Sequence, residues 1–119
     1  MSEKIHSFTD LIAWQKSHKL VIDIYKLLMR FPKAEEYGLT SQIKRAVISI
    51  PANIAEGFSR RTNKDKSQFY YVALGSLTEL QSHIVLARDL KFINKEDFDR
   101  AGYHSIKHQK QAFNRTIYV

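Results

Sequence analysis

With 119 residues, 44% of them hydrophobic and none of them cysteine, the chain is sized for one folded domain and excludes disulfides, thiolate metal sites and a cysteine nucleophile. Its formal net charge of +7 favours anionic partners, nucleic acid first among them. Four glycines and two prolines are too few to punctuate many short strands, so long helices are expected.

The opening MSEKIHSFTD lacks the apolar stretch of a signal peptide. A first helix is predicted over residues 9–31, on a stripe of Leu11, Trp14, Val21, Tyr25 and Leu28 and a second of Leu20, Ile24, Leu27 and Phe31. Phe31-Pro32 ends it, because a residue before proline is pushed out of the α region. Lys33 to Leu39 reads as an exposed turn, and Thr40 as the N-cap of a second helix over 40–59.

At 100° per residue, Ile43, Ala46, Val47, Ile50, Ile54 and Phe58 share one face of that helix, and Ile48, Pro51 and Ala55 flank it. Only Gln42, Arg45, Ser49, Asn53, Glu56 and Arg60 form a polar seam. Pro51 removes the hydrogen bond to the Val47 carbonyl at a cost of roughly 3 kcal/mol. Such a breach of local preference is expected where packing or function compensates.

Ser59 to Lys66 is a polar, basic connector in which Asn63 or Asp65 caps a third helix over 65–91. Between Lys66 and Arg88 the only formal charge is Glu79. Phe69, Ala73, Leu77, Leu80, Ile84 and Ala87 trace its main apolar face, and the opposite arc of Gly75, Thr78 and Ser82 is small enough for a close helix neighbour. Asn94-Lys95-Glu96-Asp97 reads as the capped start of a fourth helix over 95–117, interrupted at Gly102, with Phe98, Ile106, Phe113 and Ile117 inward. Short loops make successive helices antiparallel. The expected fold is a single all-α, up-down four-helix bundle. No membrane span is expected, since no window holds ~18 consecutive apolar residues; the absence of cysteine fits the cytoplasm.

Two basic clusters are the candidate nucleic-acid contacts: Arg60, Arg61, Lys64 and Lys66 around the connector, and Arg100, Lys107, Lys110 and Arg115 near the C-terminus. Without a base-reading motif, binding rests on backbone charge and shape. The alternative is an interaction scaffold whose charge meets an acidic protein. Arg45, Asn53, Glu56 and Glu79 are read as a structural polar network, with Arg45 opposite Glu79 and the seam satisfying the carbonyl freed by Pro51, rather than as an acid–base site. His104 and His108 have a metal-compatible i, i+4 spacing, but without acidic or cysteine ligands nearby in sequence they read as a solvent-facing pair. No metal or cofactor is expected. Trp14, Tyr25, Tyr70 and Tyr71 have the rings that could stack on bases, yet their helical spacing assigns them to core or interface. No serine–histidine–acid order or glycine-rich phosphate loop occurs, so an enzyme is not expected. Helices two and three are apolar over more of their circumference than one bundle covers, which predicts self-association.

Several ordered segments carry a family resemblance. Phe8-Thr9-Asp10-Leu11 with Ala13-Trp14-Gln15-Lys16, then Phe31-Pro32 through Glu36-Tyr37-Gly38-Leu39-Thr40, then Gln42 to Ala46, Ser49 to Gly57 and Gly75 to Leu80 resemble the four-helix-bundle family named for proteins encoded in intervening sequences of bacterial 23S ribosomal RNA genes. The likeness spans about residues 8–93. It implies a small bundle assembling into a homopentamer. It also implies kinship with the accessory variability determinant proteins of diversity-generating retroelements, which bind nucleic acid and a reverse transcriptase. RNA or DNA and such a protein partner are therefore expectations that the resemblance brings.

Overall fold

The computed structural model describes residues 5–117, and the side chains of all of these except 101, 103 and 115–117. Its first helical piece is a 3-10 turn, Phe8–Asp10, closed by a capping box. The Ser7 hydroxyl accepts from the Thr9 N–H at 3.2 Å, while the Asp10 carboxylate accepts from the His6 and Ser7 N–H groups at 2.9 and 3.1 Å. That cap stops short of the main helix because Leu11 is extended. Helix α1 therefore runs Ile12–Leu28 rather than from Thr9. It ends before Phe31: the N–H groups of Arg30 and Phe31 close a final turn onto the Leu27 and Leu28 carbonyls.

Helix α2 spans Leu39–Ser59. Its N-terminal donor, the Leu39 N–H, is accepted by the Glu35 carboxylate at 3.3 Å. Thr40, expected as the cap, instead lies inside the first turn and is buried. Pro51 sits within the helix without ending it. The compensation is packing, because Ile43, Val47, Ile50 and Ile54 are all fully buried, each contributing about 1.5–3 kcal/mol through area removed from water.

Helix α3 spans Asn63–Asp89 and starts earlier than predicted because Thr62, not Asn63 or Asp65, is the cap, its hydroxyl accepting from the Asp65 N–H at 3.1 Å. It ends in a Schellman arrangement. Lys91, at φ 64°, lets the Phe92 N–H reach the Ala87 carbonyl (2.9 Å) and its own N–H reach that of Arg88 (3.0 Å).

The fourth helix, α4 (95–117), is composite: an opening turn Lys95–Asp97, a π-helical stretch Phe98–His104 and an α-helical run Ser105–Ile117. Asn94 caps it, accepting from the Asp97 N–H at 2.7 Å. The sequence interruption at Gly102 is where the backbone widens. A Cβ there would lie 2.6 Å from Ile84 Cγ2, so only glycine lets α4 approach α3 this closely. Phe98, Ile106 and Phe113 are buried, while Ile117 lies outside the described side chains.

Packing follows chain order: α1 on α2, α2 on α3, α3 on α4, with α4 closing back onto α1. The α2–α3 pair is the most extensive. Gly57 assists it, since a Cβ there would meet Tyr70 Cε1 at 2.8 Å. The bundle is all-helical, and no strand occurs among the described residues. At about 40 Å, the 27-residue α3 accounts for most of the 46 Å long axis. Two buried polar residues tie α1 internally and to α4. The Ser17 hydroxyl donates to the Trp14 carbonyl, and Gln109 Nε2 donates to the Ala13 carbonyl, both at 2.9 Å.

Candidate nucleic-acid interface

The connector cluster between α2 and α3 is partly committed to structure. Arg60 pairs with Glu56 one turn back at 2.6 Å, and its guanidinium lies 4.6 Å from the Phe69 ring centre. Lys66 donates to the Phe58 carbonyl at 2.7 Å and covers the Phe58 ring, a cation placed at the negative end of α2. Arg61 and Lys64 are exposed.

The C-terminal cluster does not form one patch. Arg100 turns towards α1 and pairs with Asp97 at 3.3 Å. Lys110 reaches the other way, donating to Gln81 of α3 at 2.8 Å. Lys107 is exposed, and the side chain of Arg115 lies outside the described residues. Residues seven or so apart on a straight α-helix would share a face, but the π-helical stretch and the two different neighbours separate these.

The expected polar network is also divided. Glu56 is paired with Arg60, Glu79 lies 3.4 Å from His83 Nε2, and Arg45 is exposed without reaching Glu79. Asn53 Nδ2 donates to the Ser49 carbonyl at 2.7 Å, and the Ser49 hydroxyl to that of Ala46 at 3.0 Å. These bonds fall on either side of Val47 and leave the carbonyl freed by Pro51 to other means. Besides the Lys66–Phe58 bond, a Ser49–Ser76 hydroxyl pair links α2 to α3. Serine at such spacing gives no sequence signal for this pair.

The aromatics are largely occupied. Trp14 stacks on His18 at 4.7 Å and meets the edge of Phe8 at 5.2 Å. Lys44 lies over the Tyr25 ring, and Tyr70 is half-buried, which pushes its hydroxyl pKa up by desolvation. Tyr71 is exposed.

A different surface gathers positive charge. Between α1 and α4 runs a groove with a cavity of about 560 Å³, where Lys19, Lys26 and Arg30 face Arg100, His104 and His108. A smaller cavity of about 210 Å³ extends it past Lys16. The helices are antiparallel here, with Arg30 beside Asp97 at one end and Ala13 beside Gln109 at the other. Five lysines and arginines line the two cavities against Asp23 and Asp97, a formal surplus of three positive charges. Both carboxylates are ion-paired: Asp23 with Lys19 at 3.0 Å, Asp97 with Arg30 and Arg100. His104 and His108 border this groove and, as expected of a solvent-facing pair, are both exposed. Among the described residues, no group of three or more His, Asp or Glu side chains is placed to hold a metal ion.

One wall of this groove is visible in the sequence. Lys19, Asp23, Lys26 and Arg30 fall within about 60° of one another at 100° per residue. The stripe was legible; its partner on α4 was not.

No curated protein matches this sequence. Among solved structures, the chain is similar to a protein of unknown function from the S23 ribosomal protein family of Bacteroides thetaiotaomicron VPI-5482, with a TM-score of 0.78, 21% identity, and coverage of 91% of this chain and all of that one. That identity speaks for the fold alone, and the relative has the same helical architecture. Residues 9–113 match the family described as 23S rRNA-intervening sequence protein, so the chain belongs to that family.

Proposed function

We propose that this protein is a non-enzymatic, homo-oligomeric accessory protein that binds nucleic acid through the phosphate backbone. The observation that carries the reading is the cationic groove between α1 and α4, with its surplus of three positive charges. Paired carboxylates in the groove support a binding rather than an acid–base role, because each already serves a cation. Arg61, Lys64 and Lys107 extend the positive field beyond it. Among the described side chains no Phe, Tyr or Trp ring lines the groove; in this reading affinity comes from phosphate neutralisation and is insensitive to base sequence.

The proposed assembly is the homopentamer of the family resemblance. Exposed apolar side chains on three helices support self-association: Ile22 and Met29 on or just past α1, Ile48 on α2, Tyr71 and Val72 on α3. The proposed location is the cytoplasm, in line with a cysteine-free chain. Among the described residues no helix is long and apolar enough to cross a membrane.

A salt titration of binding to random single- and double-stranded oligonucleotides tests the reading. The apparent affinity should fall linearly on a log–log plot, with a slope of about −0.7 to −0.9 per phosphate neutralised. Lys19→Glu with Lys26→Glu should flatten the slope, while Lys95→Glu, outside the groove, should not. Absence of binding at low salt, with a folded protein, would overturn it.

A further inference from the structure

The positive charge in the groove is focal rather than spread along it. Asp23 lies midway and is paired with Lys19, so that pair adds no net charge to the floor. At the far end, where the C-terminus of α1 meets the N-terminus of α4, a single buried carboxylate holds two guanidinium groups. One Asp97 oxygen accepts from Arg30 Nη1 and the other from Arg100 Nη2. The Asp97 side chain is 8% exposed, against 62% for Arg30 and 71% for Arg100. Its backbone N–H is fixed by the Asn94 side chain. The buried carboxylate therefore works as a clamp, and the arginines are its exposed jaws.

Each guanidinium has five N–H donors, and Asp97 takes one from each. Each arginine keeps further donors beyond the one that Asp97 takes, and both line the same cavity as Lys26. A trio of two arginines and one aspartate carries a net positive charge in a forked arrangement, which suits an anion with several terminal oxygens. An internal phosphodiester offers one negative charge. A terminal phosphomonoester offers about −1.5 to −2 at neutral pH and three peripheral oxygens.

From this geometry we infer that the Asp97 end of the groove binds the terminal phosphomonoester of a nucleic-acid strand, with Arg30 and Arg100 as its fork and Asp97 as the residue that positions them. This rests on the nucleic-acid reading above and names the part of the strand that the site takes.

The test is fluorescence anisotropy with one labelled single strand prepared in three forms: 5′-phosphate, 3′-phosphate and hydroxyl at both ends. At moderate salt, one phosphorylated form should bind about tenfold more tightly than the hydroxyl form, the scale of a charge-assisted bidentate contact. Arg30→Ala and Arg100→Ala, both at exposed positions, should each reduce that preference to less than about twofold.

Asp97→Asn separates positioning from simple charge. It makes the site more positive, so overall affinity should rise if charge alone matters, yet the preference for the phosphorylated end should fall if the clamp positions the fork. Circular dichroism checks that each variant is folded, and Arg30→Lys, which keeps the charge but not the fork, gives a second reading should Asp97→Asn fail to fold. Equal affinity of the wild type for all three strands would overturn this inference while leaving backbone binding standing. Displacement of the strand by an equal concentration of inorganic phosphate would overturn the strand-end assignment in favour of a free anion. No binding of any strand would overturn both this inference and the reading on which it rests.

Discussion

Replacing Gly102 by alanine is normally favourable inside a helix, by up to about 1 kcal/mol. In this protein the sign should reverse. The added methyl would sit 2.6 Å from Ile84 Cγ2, where ordinary contact begins near 3.4 Å. That carbon is attached directly to a β-branched Cβ on α3, and Ile84 is 1% exposed, so it has no easy direction in which to move. Relieving an overlap of this kind costs about 1–3 kcal/mol, leaving a net loss of up to about 2 kcal/mol once the helix preference of about 1 kcal/mol is counted. With an unfolding entropy near 2.1 cal/mol/K per residue, a chain of this length loses about 4 °C in Tm for each kcal/mol. A fall of up to about 8 °C is therefore expected for Gly102→Ala, measured by thermal denaturation at matched protein concentration, since assembly also shifts Tm.

Gly75 is the control. Nothing lies within 4 Å of a Cβ built there, so Gly75→Ala should raise the Tm of the isolated chain by up to about 4 °C. Ile84→Ala should cost about 2–5 kcal/mol alone but less in combination with Gly102→Ala, because the new methyl enters the vacated space. A Gly102→Ala protein more stable than the parent would refute the argument that this glycine sets the α3–α4 distance. A Gly75→Ala protein that dissociates on light scattering would show that a second copy covers the outer face of α3.

Three further outcomes follow from local geometry. Lys91 adopts the left-handed φ of 64° at the end of α3, so Lys91→Gly should stabilise by about 0.5–1 kcal/mol in chemical denaturation; a lower midpoint would show that the Lys91 side chain contributes more than its backbone strain costs. Gln109 is fully buried and donates to the Ala13 carbonyl, so Gln109→Ala should cost about 2 kcal/mol through the lost bond and the cavity together. Asp10 is held below its ordinary value of 3.8 by the His6 and Ser7 backbone N–H groups. Its cap is thus fully formed above that pH and is lost as the pH falls through the lower folded value; an NMR titration should show the His6 and Ser7 amide signals moving together with the Asp10 carboxyl, and Asp10→Asn should remove that step.

Much of the architecture was legible in the sequence because it depends on periodicity. The apolar faces of α2 and α3 were read from spacing, and Ile43, Val47, Ile54, Leu77 and Ile84 are buried in the structure. Helix ends were less legible, since a cap is chosen by geometry rather than composition. Thr62 outcompetes Asn63 and Asp65, and the Glu35 side chain arrives from the preceding turn to serve Leu39. The polar seam was visible as residues but not as bonds, because an asparagine or serine on a helix has several carbonyls within reach.

The clustering of charge separates what the sequence by itself determined from what only the tertiary structure decided. Composition established a basic, cysteine-free chain, and its helical pattern established a bundle, because net charge and hydrophobic period are properties of the chain alone. Which cations meet is a property of packing. Lys19, Lys26 and Arg30 lie about 70 residues or more from Arg100 in sequence, and they share a groove only because α4 returns antiparallel along α1. The same return buries Asp97 between two arginines, and the desolvation of a carboxylate that must then be paired is what holds them in place.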